Sequence, residues 1–304
     1  MSKPGFSITA VERDVGLSKD VLRVWERRYG FPAPQRDAHG ERVYPVEQVE
    51  RLRLIKRLMD QGHRPGRLLT STEKDLRALS SRRRAVAQAD TDADDALGAL
   101  VRLIRQHDAE AYAHAIRQRL ARQGLRSFVQ DIVAPLTQLV GRAWADGRLH
   151  VFEEHLFTEL TERVLRQAIA TVPAGHAPRI LLTSLPNEQH GLGLLMAEAM
   201  LALEGAHCIS LGTQTPILEI VRAAAAHRAD VIALSFSAAF PRRQVPALLQ
   251  QLRAGLPAAL DLWSGGSGMS GIAPQHGVLT IAGLQDAVQA VAGWREAHGD
   301  GSEA

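Results

Sequence analysis

Glu188, His190 and Gly193 stand at the spacing E-x-H-x-x-G, in the string Glu188-Gln189-His190-Gly191-Leu192-Gly193. Ser235-Phe236-Ser237 begins 42 positions after Gly193, and the pair Gly265-Gly266 follows further on. Neutral imidazole is a good metal ligand, and its second nitrogen then needs a carboxylate or carbonyl to fix the tautomer. Glu188 can be that partner, or it can sit beside the edge of a bound group. Gly193 and the Gly265-Gly266 pair let a backbone or a bound chain pass closely, although a tight strand-to-helix turn uses glycine too. Ser235 or Ser237 can hydrogen-bond what passes. A second spaced set is Trp144, nine residues, then Glu154-His155. Alone it reads as a core tryptophan with a surface Glu–His pair. The remaining histidines lack ligand spacing, and Cys208 is the only cysteine, which excludes disulfide frameworks and thiolate clusters.

The elements that must position these residues change in texture along the chain. After Pro173 and Pro178, short apolar runs at 179–184, 207–211, 231–237, 259–264 and 278–281 alternate with helical patterns such as 191–203 and 217–226. Continuous apolar strands between helices predict a parallel sheet covered on both faces, and such folds take ligands at the carboxyl ends of their strands. His190 follows the first strand, Ser235 ends the third and Gly265 follows the fourth, so the three parts converge on one edge. Before them, apolar residues recur at three and four, as in Leu97, Leu100, Val101 and Ile104, then Phe128, Ile132, Leu136, Leu139 and Val140. That period belongs to amphipathic helices. Breaks near His107-Asp108, Gly124 and Asp146-Gly147 divide the region into about four, and Pro135 should kink the third. Trp144 then ends the third helix and Glu154-His155 lies early in the fourth, at the same end of the bundle.

Charge is divided unevenly. Residues 1–84 hold 19 Lys and Arg against 11 Asp and Glu, while the rest holds 17 against 22. A basic head on a mildly acidic body points the head at a polyanion. No apolar run reaches the roughly 18 residues of a membrane span, and residues 1–30 lack the apolar stretch of a signal peptide. A cytoplasmic setting and no membrane partner are expected.

In the head, Ser7 can cap a first helix, Gly16 makes a turn and Ser18 caps a second helix with Leu22-Arg23-Val24-Trp25-Glu26-Arg27-Arg28-Tyr29. A wing follows at His39-Gly40-Glu41-Arg42-Val43-Tyr44, and then a third helix over 46–61. This string and wing resemble the winged helix-turn-helix of the MerR family. Lys19, Arg23, Arg27 and Arg28 can contact phosphates or guanine edges in a major groove, and Arg42 can reach the backbone or an adjacent minor groove. Tyr44 is carried with them as a DNA-binding candidate, although it and Trp25 also suit core packing.

The E-x-H-x-x-G set resembles cobalamin-binding domains that take the cofactor with its own base displaced and a histidine on cobalt. The Trp144 and Glu154-His155 set resembles the helical cap of B12-dependent, light-sensing regulators of the MerR family. The resemblance implies a multidomain α and α/β chain. It comprises a winged helix-turn-helix head at 1–75, a linker at 76–92, a four-helix bundle cap at 93–172 and a doubly wound, flavodoxin-like cobalamin-binding domain at 178–299. It makes His190 the cobalt ligand, with Glu188, Gly193, Ser235, Ser237, Gly265 and Gly266 around the lower face and the displaced tail. It sets Trp144, Glu154 and His155 over the upper face, at the 5′-deoxyadenosyl group.

The function implied is an adenosylcobalamin-dependent, light-responsive repressor. It binds double-stranded promoter DNA as a cofactor-assembled homo-oligomer, a tetramer, and releases it after light cleaves the Co–C bond. One departure stands out: the family's light-state upper ligand, a histidine directly after the tryptophan, is replaced by Ala145, and His150 lies five residues on. Two alternatives stay open, a MerR-type regulator holding another tetrapyrrole or ligand, and a B12 sensor without a light-driven assembly switch. A cobalamin enzyme would need a substrate domain such as a barrel of about 250 residues, and the chain has no room for one.

Overall fold

The computed structural model describes residues 5–37, 40–60, 63–76 and 93–299. It groups into two compact units, Met1–Thr91 with Arg142–His150, and Asp92–Gly141 with Val151–Ala304.

The N-terminal unit starts with β1 (Gly5–Ser7), α1 (Ile8–Val15) and α2 (Lys19–Tyr29). Ser7 Oγ accepts from Ala10 N at 3.3 Å and Ser18 Oγ from Val21 N at 3.3 Å. Each bond satisfies an amide that the first helical turn leaves without a partner, a contribution of about 1 kcal/mol. Gly16 and Gly30 end these helices in the left-handed conformation. The wing pairs β2 (Gln35–Arg36) with β3 (Arg42–Pro45), and β3 also pairs antiparallel with β1, placing Phe6 opposite Tyr44. Helices α3 (Val46–Asp60) and α4 (Pro65–Thr70) close a core of Val11, Leu22, Trp25, Tyr44, Leu52, Ile55 and Leu58. Leu76 is buried in the same core, so head packing runs one residue into the span expected as linker. The rest of that linker, 77–92, and His39 of the wing lie outside the described residues.

In the second unit, α5 (Ala93–Arg105), α6 (Ala109–Ser127), α7 (Ala134–Ala145) and α8 (Val151–Ile169) carry the three-four apolar pattern. Only the first part of α7 belongs to this unit. Asp108 caps α6 through Ala111 N at 2.9 Å, which is why the chain breaks at His107-Asp108. A buried bond of 2.7 Å between the Tyr112 and Thr161 hydroxyls ties α6 to α8. The expected irregularity near Pro135 is present but lies before it. Residues Phe128–Val133 form a wide π-helical stretch that runs directly into α7, and Pro135, which has no N–H to give, follows at once.

The sheet holds β4 (Arg179–Thr183), β5 (His207–Gly212), β6 (Val231–Ser235), β7 (Asp261–Gly265) and β8 (Leu279–Ile281), all parallel, in the order β5-β4-β6-β7-β8. This is the doubly wound order in which the chain reverses direction beside its first strand. Alternate residues of β4 feed opposite cores. Ile180 and Leu182 pack against α9 (Leu192–Leu203) and α12 (Leu284–Gly299), while Leu181 packs against α10 (Ile217–Ala226) and α11 (Val245–Ala254). Both faces are therefore covered, as the unbroken apolar strands required.

Candidate cofactor site and nucleic-acid interface

The loop between β4 and α9 holds His190 by its backbone and its ring together. Glu188 is 1% exposed, and its Oε1 accepts from His190 N at 2.9 Å and lies 2.7 Å from His190 Nδ1. Its Oε2 accepts from Ser237 N at 2.7 Å. The Ser237 hydroxyl lies 3.0 Å from Nδ1 and donates to Glu188 Oε1 at 3.1 Å. Burial by itself would raise the Glu188 carboxyl. The hydrogen bonds from the His190 ring, from the His190 and Ser237 amides, and the His190 charge outweigh burial and hold it below its ordinary range. The result is a fixed imidazole with Nδ1 held inside the protein, on a side chain 57% exposed.

Neighbouring strands complete this edge. Ser235, the last residue of β6, lies in register with Gly265 of β7. A Cβ at Gly193 would lie 3.0 Å from Ser235 Oγ, so a side chain there would press on that hydroxyl. Gly266 has φ +93, and a Cβ there would meet Phe236 O at 2.4 Å. Glu188, His190, Gly193, Ser235, Ser237, Gly265 and Gly266 are thus brought to one edge. Of the two serines, only Ser237 bonds the Glu188–His190 pair. The spacing gave no sign of Ser184. Its buried hydroxyl donates to Glu188 O at 2.8 Å and accepts from Gln214 N at 3.0 Å, fixing the loop from below.

At the end of α7, Trp144 is half-buried and Ala145 follows it, with a turn closed by Gly147 N to Trp144 O at 2.9 Å. Glu154, in the first turn of α8, accepts from Thr158 Oγ1 at 2.8 Å, and its Oε2 lies 3.7 Å from His155 Nε2. His155 is exposed.

In the head, α2 buries Leu22 and Trp25 and exposes Arg23, Arg27 and Arg28 along the opposite face. Lys19 lies 3.6 Å from Glu12, and Arg23 lies 3.3 Å from Asp20. Arg28 sits over the Tyr29 ring at 5.4 Å. Arg42 is engaged by Glu26 at 2.8 Å, so a reach to DNA from the wing competes with an ion pair. Tyr44 does not belong with these residues. It is fully buried in the head core, because β3 turns it inward between α1 and α3, and a side chain with no exposed surface cannot touch DNA.

One unit thus carries an Arg-faced helix-turn-helix, and the other a histidine-bearing edge of a doubly wound sheet. Residues 6–68 match the MerR HTH family regulatory proteins, and residues 96–169 and 178–284 each match a B12 binding domain. The chain belongs to the MerR-family regulators that carry B12-binding domains. It is 30% identical over 258 residues to the HTH-type transcriptional repressor CarA of Myxococcus xanthus, covering 82% of this chain and 83% of that one. It is 29% identical over 270 residues to the repressor CarH of the same organism, covering 88% and 90%. The Methanosarcina barkeri monomethylamine corrinoid protein shares the fold over 66% of this chain and 98% of its own, with TM-score 0.54 and 14% identity. No helix among the described residues is long and apolar enough to cross a membrane.

Proposed function

We propose that the chain is an adenosylcobalamin-dependent transcriptional repressor whose hold on promoter DNA is set by the cofactor and relieved by light. The observation that carries this reading is the His190 ring. Glu188 and Ser237 take Nδ1 at 2.7 and 3.0 Å, an arrangement that supports Nε2 as the cobalt ligand, with the imidazole kept in the tautomer a metal needs. Gly193 and Gly266, where a Cβ would crowd Ser235 and Phe236, keep side chains out of the edge at which a cofactor tail would lie. When bound, adenosylcobalamin supplies a cobalt–carbon bond that visible light breaks.

The residues then divide the work. Glu188 holds the proton on Nδ1, Ser237 locks the carboxylate, and Ser235 hydrogen-bonds the tail. With the cofactor bound, Trp144 would pack on the adenosyl group, Glu154 would hydrogen-bond it, and His155 would lie on the same upper face. Lys19, Arg23, Arg27 and Arg28 neutralise phosphates and read bases. Tethering several weak heads raises DNA affinity without any new contact, so a cofactor that favours a tetramer would favour repression, provided it binds the two assembly states unequally. Ala145 offers no ligand to cobalt, and that favours a second reading, a B12 sensor in which light does not leave a two-histidine product.

The test is titration of the protein with adenosylcobalamin in the dark, read by absorption, beside His190→Ala. A spectrum with histidine on cobalt that is lost in the variant supports the reading. An identical spectrum in both removes His190 as ligand.

A further inference from the structure

A second feature lies on the same unit, one residue from the histidine. A cleft of about 260 Å³ opens between bundle helix α8 and the edge strand β5. Gln189 and Gly191, the neighbours of His190, form one wall. Glu162 and Arg166 of α8 form another, and Ser210 and Thr213 stand at the end of β5. The contacts that close it are tight. A Cβ at Gly191 would lie 2.8 Å from Glu162 Oε1 and 3.7 Å from Thr213 Cγ2. Glu162 is only 20% exposed, and its other oxygen accepts from Arg166 at 3.2 Å. Behind the wall, Glu198 interacts with Ser210 and keeps Oε2 enclosed with no hydrogen-bond partner among the described residues.

The chemistry of this lining is specific. Glu162 is the acceptor, Arg166 is the cation, and the hydroxyls of Ser210 and Thr213 can donate or accept. A carboxylate paired with a guanidinium, with two hydroxyls beside them, suits a neutral group that offers N–H donors and also accepts, as a primary carboxamide does. A carboxylate brought to the same place would face Glu162 with no proton to give, and like charges in a partly dry cleft repel. The two kinds of macrocycle open to this pocket differ in just this respect, because corrins carry carboxamides at their rim and haem-type tetrapyrroles carry carboxylates.

We infer that Glu162, set against Gly191 beside His190 and paired with Arg166, determines specificity by receiving a carboxamide from the corrin rim and rejecting a carboxylate-edged macrocycle. The inference rests on the cobalamin reading above, and adds to it the group that selects among tetrapyrroles.

The test compares dark adenosylcobalamin with its separated rim monocarboxylic acids, binding the full-length protein and its Glu162→Gln variant. Affinity comes from equilibrium titration and ligation from the absorption spectrum. Wild type should disfavour at least one monocarboxylate by about 10-fold, the size of one mispaired charged contact of about 1.4 kcal/mol. Glu162→Gln is nearly isosteric and should bring that ratio within about twofold while the spectrum with histidine on cobalt persists, a result that also shows the variant is folded. Thr213→Val, on the opposite wall, should weaken adenosylcobalamin itself by a few-fold. Equal affinities in wild type, or a ratio that Glu162→Gln leaves unchanged, would overturn the role of Glu162 while leaving His190 as ligand. Absence of any cobalamin binding by wild type would instead sink the cofactor reading and this inference together.

Discussion

Glu188 Oε1 lies 2.7 Å from His190 Nδ1 and accepts from the His190 amide at 2.9 Å, so one buried carboxylate oxygen holds both the backbone and the ring of the same residue. Glu188→Gln keeps the shape and removes the charge that the two amides and the imidazole share. Losing such a partner to a metal-ligating histidine costs about 10- to 100-fold in affinity. Equilibrium titration with adenosylcobalamin should show that loss, with a smaller fraction of the cofactor on histidine. Unchanged affinity would mean that the ring needs no support from below.

The same carboxylate makes an acid-side prediction. Its folded pKa is held below the ordinary 4.5, so the unfolded chain binds the proton more readily. The stabilisation is fully present above the unfolded value and is lost as pH falls through the lower folded one. Thermal unfolding from pH 7 to 3 should find wild type ahead of Glu188→Gln by a constant margin at neutral pH, narrowing only below about 4.5. A margin that stays constant down to pH 3 would remove Glu188 as the titrating group.

Two residues of the head separate DNA contact from packing. Arg23→Ala should lower affinity for operator DNA and reduce the salt slope by about 1, with cobalamin binding untouched. Tyr44→Phe should leave DNA binding alone. Its hydroxyl is buried without a hydrogen-bond partner among the described residues, so removing it should be neutral or stabilising by up to about 1 kcal/mol. Gel shifts and denaturant unfolding on the two variants distinguish these effects. A Tyr44→Phe variant that loses DNA would overturn the placement of that side chain.

Trp144→Ala addresses the cap. Under the proposed function it should impair cofactor-induced assembly, read by light scattering, while titration still shows cobalamin bound. Loss of both would assign Trp144 to the fold of its helix end rather than to sensing.

Much of this architecture was legible in the residues. Strand ends fell within a residue or two of the apolar runs, because a strand covered on both faces needs an unbroken apolar sequence. Ser7 and Ser18 were readable as caps because a side-chain oxygen before a helix has one useful task. Spacing could not choose between Ser235 and Ser237, two residues apart on the same strand end, because that choice depends on where β6 stops and which amide points at Glu188. Nor could it show Ser184 or Glu162, whose parts depend on distant segments packing together. Tyr44 misled as a DNA contact for a related reason. A tyrosine in a basic wing looks like a contact until the pleat of β3 decides which way it faces, and the irregularity assigned to Pro135 was absorbed one turn earlier.

The central claim, that this chain holds cobalamin on His190 and acts through it, is tested most directly by size-exclusion chromatography with an in-line absorbance spectrum. The protein is run with adenosylcobalamin in the dark and again after green light. The account predicts a cobalamin-bearing oligomer in the dark that becomes smaller on illumination, and no such species for His190→Ala. Protein eluting without cobalamin in the dark would contradict it.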